Sequence, residues 1–168
     1  MHLHFEVRKD NKHINPTPYL EAPLPLPKDE PPRLSYRAYT GKWLPWVTDG
    51  NENLADAYAG IHGKNITALM AAPTRGTLRY RVHLVGRGWL PWVENDTDFA
   101  GIRGKAMDAV QMQLIGAEGY EVKYRVSPSG GSGWYGWCTG LSDKTGDGYA
   151  GVFGKALDCI QIKIEKAK

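Results

Sequence analysis

Tyr58-Ala59-Gly60-Ile61-His62-Gly63-Lys64 returns as Phe99-Ala100-Gly101-Ile102-Arg103-Gly104-Lys105, and again as Tyr149-Ala150-Gly151-Val152-Phe153-Gly154-Lys155. Ahead of each stands a W-x-x-W pair, Trp43/Trp46, Trp89/Trp92 and Trp134/Trp137, which together use all six tryptophans of the 168-residue chain. Ahead of each pair stands Tyr-Arg, as Tyr36-Arg37, Tyr80-Arg81 and Tyr124-Arg125, each copy 44 positions after the last. Each block closes on an apolar run, best formed in Ala106-Met107-Asp108-Ala109-Val110-Gln111-Met112-Gln113-Leu114 and in Ala156-Leu157-Asp158-Cys159-Ile160-Gln161-Ile162-Lys163-Ile164. Chance does not order four features three times, so the sequence reads as three copies of one unit, at 34–77, 78–117 and 118–168. The first copy is degenerate: Asn65-Ile66-Thr67-Ala68-Leu69-Met70 runs into Pro73, and one of the three sheets or sites is expected to be impaired.

Every block has the pattern of β structure. Tyr80, Val82 and Leu84 alternate with Arg81 and His83 at period two. In the closing run, Met107 and Ala109 differ in parity from Val110, Met112 and Leu114, which a β-bulge between Ala109 and Val110 would reconcile. Asp49-Gly50-Asn51 and Gly146-Asp147-Gly148 supply turn chemistry. The expected class is all-β. A unit of about 44 residues cannot bury its own face, whereas three around a pseudo-threefold axis can, as a β-prism or as a β-trefoil. The prism is preferred because each block ends in one long strand rather than in evenly spaced hairpins.

Composition narrows the function classes. Hydrophobic residues make up 42% and charged residues 23%, the balance of a globular protein. No stretch approaches the roughly 20 apolar residues of a membrane-spanning helix, and Met1-His2-Leu3-His4-Phe5-Glu6 has neither the basic start nor the apolar core of a signal peptide. A net charge of +3 with both signs scattered is too weak a bias for a nucleic acid partner. Six Trp and nine Tyr against three Phe favour amphipathic aromatics, as at binding surfaces. Seven of the eleven prolines lie between Pro16 and Pro32. Residues 21–33 therefore read as an extended polyproline spacer, or else as a strap on the domain surface. A spacer joins two modules, so residues 1–20 are expected to be the end of another one.

Within a strand, W-x-x-W puts the two indoles on opposite faces. Parity with Val47, Val93 and Cys138 then assigns Trp43, Trp89 and Trp134 to the core, and Trp46, Trp92 and Trp137 to an open face. Pro45 and Pro91 would twist the strand and spoil that parity; the other reading has all six tryptophans packing. An exposed indole stacks on the C–H face of a pyranose. Tyr58, Phe99 and Tyr149 could wall such a pocket, and Lys64, Lys105 and Lys155 could meet a phosphate or carboxylate of the ligand. Arg37, Arg81 and Arg125 either join the site or form a solvated face. The glycines of AGxxGK answer to tight turns and close sheet packing without any ligand. The acidic loops (Asp49, Glu52; Asp96, Asp98; Asp143, Asp147) do not match a calcium loop and read as turns. Cys138 and Cys159 appear together in one copy and are read as a spatial pair, either a disulfide or two buried thiols.

With Gly88-Trp89 and Gly133-Trp134 ahead of Gly-rich turns and closing apolar strands, the repeats over residues 35–166 resemble the clostridial hydrophobic repeat family. The first copy departs from it with Lys42-Trp43, and Asp108, Asp158 and Thr67 stand where the family carries Glu. The resemblance implies binding to the wall or wall glycan of Gram-positive bacteria. His2-Leu3-His4-Phe5-Glu6-Val7-Arg8-Lys9, Ile14-Asn15-Pro16 and Tyr19-Leu20 resemble the C-terminal end of lysostaphin-type zinc endopeptidases. That resemblance implies an assisting catalytic role for His2 and a zinc-ligand role for His4. The family's upstream H-x-x-x-D motif is missing here, and His13, His62 and His83 do not replace it at a recognisable spacing. Together the parts resemble the enterolysin A type of secreted bacteriolysins and related phage endolysins.

The expectation is therefore a targeting module, residues 34–168, that is secreted and acts at the bacterial cell wall. It would hold a peptidoglycan hydrolase on wall glycan, peptidoglycan or a teichoic-acid-type polymer. No cofactor is expected for the repeats; zinc belongs to the full-length enzyme that the resemblance implies. Two alternatives stand beside it: a chain that is itself a zinc peptidase using His2, His4 and a third ligand, and an adaptor that binds a protein through its Trp faces.

Overall fold

A computed structural model describes residues 30–49, 57–131, 133–141 and 148–168, together with the backbone of 7–9 and 12–14. His2, His4, the prolines from Pro16 to Pro27, and the loop residues Gly50, Asn51, Glu52, Asp143, Gly146 and Asp147 lie outside the described residues. Contacts divide the chain into two units, Met1–Glu30 and Pro31–Lys168. In the first, β1 (Val7–Lys9) and β2 (Lys12–Ile14) form an antiparallel pair, with Val7 opposite Ile14. The second unit begins three residues before Leu34: Pro32 is buried, and Arg33 N donates to Thr74 Oγ1 while Arg33 O accepts from Thr74 N.

Among the described residues, all elements of the second unit are strands. The first sequence block gives β3 (Leu34–Tyr39), β4 (Val47–Thr48), β5 (Ala59–Gly60) and β6 (Ala68–Pro73). The next gives β7 (Thr77–Leu84), β8 (Gly88–Trp89), β9 (Val93–Glu94), β10 (Ala100–Gly101) and β11 (Met107–Ile115). The last gives β12 (Tyr120–Pro128), β13 (Cys138–Thr139), β14 (Ala150–Gly151) and β15 (Leu157–Lys166). They form three antiparallel sheets, β10-β6-β3-β4, β14-β11-β7-β8 with β9 also on β7, and β13-β12-β15-β5. None of the sheets is closed, unlike the barrel that a β-trefoil requires.

None of these sheets is completed by its own block. Each takes its short Ala-Gly strand from elsewhere: β10 joins the sheet of the first block, β14 that of the second and β5 that of the third. The exchange depends on one glycine in each strand. A Cβ on Gly60, Gly101 or Gly151 would stand 2.1, 2.3 or 2.2 Å from the carbonyl oxygen of Asp158, Thr67 or Asp108, at the start of the receiving strand or just before it, and all three have φ above +120°. Only glycine admits that approach.

The core is the inner face of these strands. β7 alternates half-buried and buried along its whole length, with Leu78, Tyr80, Val82 and Leu84 inward, as expected from its period. Tyr36, Tyr80 and Tyr124 have no exposed surface, and their cross-strand partners are Val47, Val93 and Cys138. The Tyr80 hydroxyl donates to Asn95 O at 2.7 Å and accepts from Ala71 N at 3.1 Å. That of Tyr124 donates to Gly140 O at 2.7 Å and accepts from Met112 N at 3.3 Å. The Tyr36 hydroxyl donates to Ala57 O and is held by the Ile162 backbone. Each tyrosine thus bonds into the closing strand of another block. Burial pushes the hydroxyls of Tyr36 and Tyr80 well above the usual tyrosine range.

Two details differ from the sequence reading. The β-bulge lies at Asp108, where pairing with β7 shifts between Met107 and Ala109, and not between Ala109 and Val110; β15 shifts likewise around Asp158. The aspartate is the extra residue, so Met107 stays inward opposite Leu84 while Ala109 falls on the outer face opposite His83. Cys138 and Cys159 are buried on β13 and β15, with β12 between them, so the disulfide reading is replaced by two separate thiols.

The glycine argument is testable by comparing two positions of one turn. Gly151→Ala is expected to cost at least about 3 kcal/mol in urea unfolding. Gly154→Ala, whose Cβ would meet nothing within 4 Å at φ +87°, should cost about 1 kcal/mol. Equal losses would contradict the strand-exchange account.

Candidate ligand-binding site

The outward positions of β3, β7 and β12 present Arg37, Arg81 and Arg125. Each guanidinium lies between the two indoles of its own block. Arg37 is 4.6 and 4.5 Å from the ring centroids of Trp43 and Trp46. Arg81 is 4.8 and 4.6 Å from Trp89 and Trp92, and Arg125 is 5.1 and 4.5 Å from Trp134 and Trp137. W-x-x-W therefore does not run as one strand with indoles on opposite faces. β8 and β9 pair with β7 on either side of Arg81, and the chain between them breaks step at Pro91, as it does at Pro45 and Gly136. This corrects the assignment of Trp43, Trp89 and Trp134 to the core. All six tryptophans are half-buried or exposed, Trp46 most so, and tyrosine fills the interior in their place.

Each first tryptophan also meets the aromatic of another block. Trp43 packs edge-on against Phe99 at 5.8 Å, Trp89 against Tyr149 at 5.6 Å and Trp134 against Tyr58 at 5.6 Å. Sequence reasoning grouped each aromatic with the tryptophans of its own block; the exchange of Ala-Gly strands moves it to a neighbour's. Arg103 adds a second guanidinium beside Tyr39, Trp43 and Phe99. Phe153 stacks on Tyr149 and on His83, at 5.0 and 4.0 Å. Neither Arg103 nor Phe153 was singled out in the sequence, because that position varies among His62, Arg103 and Phe153. Lys64, Lys105 and Lys155 are exposed, and their N–H groups close tight turns onto Ile61, Ile102 and Val152. A groove of about 440 Å³ runs between Leu44–Val47 and Tyr58–Ile61, within the range of small-ligand sites.

The clamp is held from the strand behind it. Arg81 Nε donates to Gln111 Oε1 at 2.9 Å and Arg125 Nε to Gln161 Oε1 at 2.8 Å, each across a register pair. At the same place in the degenerate block stands Met70, and Arg37 Nε is buried without a hydrogen-bond partner. A planar cation held over two rings and bonded at one edge, as Arg81 and Arg125 are, is preorganised.

The bulge aspartates sit beside these sites. Asp108 is buried; its Oδ1 is 2.5 Å from His83 Nδ1 and its Oδ2 accepts from Gly154 N at 2.7 Å. Asp158 is equally buried and accepts from Gly63 N at 2.8 Å, but Ser127 occupies the position of His83. Here His62 Nδ1 lies 3.6 Å from Asp158 Oδ2 and 3.5 Å from Cys159 Sγ. Burial, and then the Asp158 charge, push the Cys159 thiol well above its usual range. Of the acidic loop residues, Asp49 serves as a turn, accepting from Leu34 N at 2.7 Å with φ at +45°. Among the described residues, no helix is long and apolar enough to cross a membrane. The chain matches no family model, and no curated protein or solved structure is significantly similar to it.

Met70→Gln is expected to stabilise the domain by about 1 kcal/mol in denaturant unfolding, by giving Arg37 Nε the partner that the other two arginines have. A loss of stability would show that the thioether packing outweighs the missing bond.

Proposed function

We propose that the second unit is a cell-wall-binding module recognising wall glycan or an attached wall polymer of Gram-positive bacteria. The observation that carries this reading is the arginine clamped between two accessible indoles, present three times and bordered each time by an aromatic from another block. Such a surface offers apolar ring faces for the C–H face of a sugar and fixed donors for its hydroxyls and carboxylates. Because the clamp exists before the ligand arrives, little side-chain entropy is lost on binding.

On this reading the blocks 34–77, 78–117 and 118–168 are three copies of one unit about a pseudo-threefold axis, in a β-prism-like arrangement. The support is the cyclic order of strand exchange, first to third, second to first and third to second, which the tyrosine hydroxyls and the edge-on aromatic pairs follow as well. Three weak sites on one rigid body suit a repetitive wall, where simultaneous engagement adds about 10²–10⁴ to a single affinity. The resemblance of residues 2–20 to a zinc endopeptidase, and of the repeats to wall-binding proteins, supports a secreted peptidoglycan hydrolase as the setting. In that setting His2 and His4 would serve the enzyme and not the module.

The test is co-sedimentation with purified Gram-positive walls, before and after acid removal of their secondary polymers. Binding that survives stripping assigns the ligand to peptidoglycan; binding lost on stripping assigns it to the attached polysaccharide or teichoic acid. Replacing Trp89 and Trp92 together with alanine should weaken binding by about tenfold or more through lost avidity. No binding to walls of several species would overturn the reading and leave a protein partner in its place.

A further inference from the structure

We propose that His62, Asp158 and Cys159 form a zinc site at the junction of the first and third blocks. The sequence reading assigned no metal to this domain, and the inference is independent of what the tryptophans bind. One ligand atom from each residue lies within 4.8 Å of the other two. Zinc bonds of about 2.0–2.3 Å at tetrahedral angles separate ligand atoms by about 3.3–3.6 Å. The Cys159–His62 and His62–Asp158 separations of 3.5 and 3.6 Å match that spacing.

The second line of argument is two orphaned polar atoms. Asp158 Oδ1 and Ser127 Oγ are buried with no hydrogen-bond partner, and both residues are 1% exposed. Ser127 is the register partner of Cys159. At the junction of the second and third blocks the same two positions are quiet, because His83 fills the serine's place and bonds Asp108. There Ala109 replaces the cysteine and Phe153 replaces the histidine. At the remaining junction the set is Arg103, Thr67 and Ala68. Histidine, cysteine and a buried carboxylate with one oxygen unbonded thus come together at one junction of the three, where a dication would compensate the buried charge.

Imidazole, thiolate and carboxylate suit zinc. His62 Nδ1 binds as the neutral ring, the Cys159 thiol gives its proton to solvent as the S–Zn bond forms, and no oxidant or reductant is involved. Gly63 N–H donates to Asp158 Oδ2, the oxygen that faces His62 Nδ1, and fixes the carboxylate in place. Three protein ligands leave a fourth position open, on the side of His62, which is 55% exposed and lies edge-on to Trp134.

The experiment loads the full chain with zinc, removes excess by gel filtration and counts retained metal, with cobalt as the spectroscopic probe. Cys159→Ala and His62→Phe restore side chains found at the matching positions of other blocks, so both should fold. The expected result is one zinc more per chain in the parent than in either variant, with affinity lowered about 100-fold in each. Cobalt should give a thiolate charge-transfer band that survives Cys138→Val and disappears in Cys159→Ala. Zinc should also raise the melting temperature of the parent and not of Cys159→Ala. Equal retention by parent and variants would place the metal elsewhere, for instance on the histidines of the first unit, and overturn the proposal. No retention by any of them would overturn it as well, leaving water on Asp158 and Ser127.

Discussion

A tyrosine with no exposed surface must find protein partners for its hydroxyl, because an unpaired buried hydroxyl costs about 1–3 kcal/mol. Tyr36, Tyr80 and Tyr124 each meet that demand by spanning two sequence blocks. Each hydroxyl donates to a loop carbonyl of its own block and is held by a backbone N–H of another's closing strand. The rest of the domain is arranged around this. With the tyrosines fixed, β4, β9 and β13 lie opposite them, and the Ala-Gly strands pair onto sheets of other blocks. No block supplies both partners of its own hydroxyl, so folding of the second unit is expected to be a single cooperative event.

The same constraint builds the candidate sites. Inward tyrosine forces the next residue, arginine, outward, and the short strands on either side bring both indoles onto its faces. Strand exchange then carries Tyr58, Phe99 and Tyr149 against tryptophans of other blocks. Each site is thereby composite, and its geometry is as rigid as the sheets that hold it. Local differences sit on this common frame: Gln111 and Gln161 against Met70 behind the arginine, and His83 against Ser127 beside the bulge aspartate. These are the places where one junction differs chemically from its counterparts.

The all-β class and the inward–outward alternation of β7 were legible because a period-two pattern leaves a direct trace in the chain. The importance of the tryptophans, tyrosines and arginines was legible from their recurrence. Their roles were less so. Parity reasoning sent half the tryptophans inward because it treated Trp43–Trp46 and its counterparts as continuous strands, whereas Pro45, Pro91 and Gly136 interrupt them. The bulge was expected one residue late because Asp108 looked like an ordinary outward residue and not the extra one. The aromatic pairs across blocks, and the meeting of His62 with Asp158 and Cys159, depend on strand exchange between residues nearly a hundred positions apart. No local pattern encodes that.

The claim at the centre of this account is that the arginine-clamped indoles are the ligand-binding surface. The most direct measurement follows the six tryptophan side-chain N–H resonances by NMR while soluble wall fragments are added. The account predicts that the indole signals shift and saturate together with ligand, those of the second and third blocks at least as strongly as those of the degenerate first. Fragments that bind while leaving all six indole signals unmoved would contradict it.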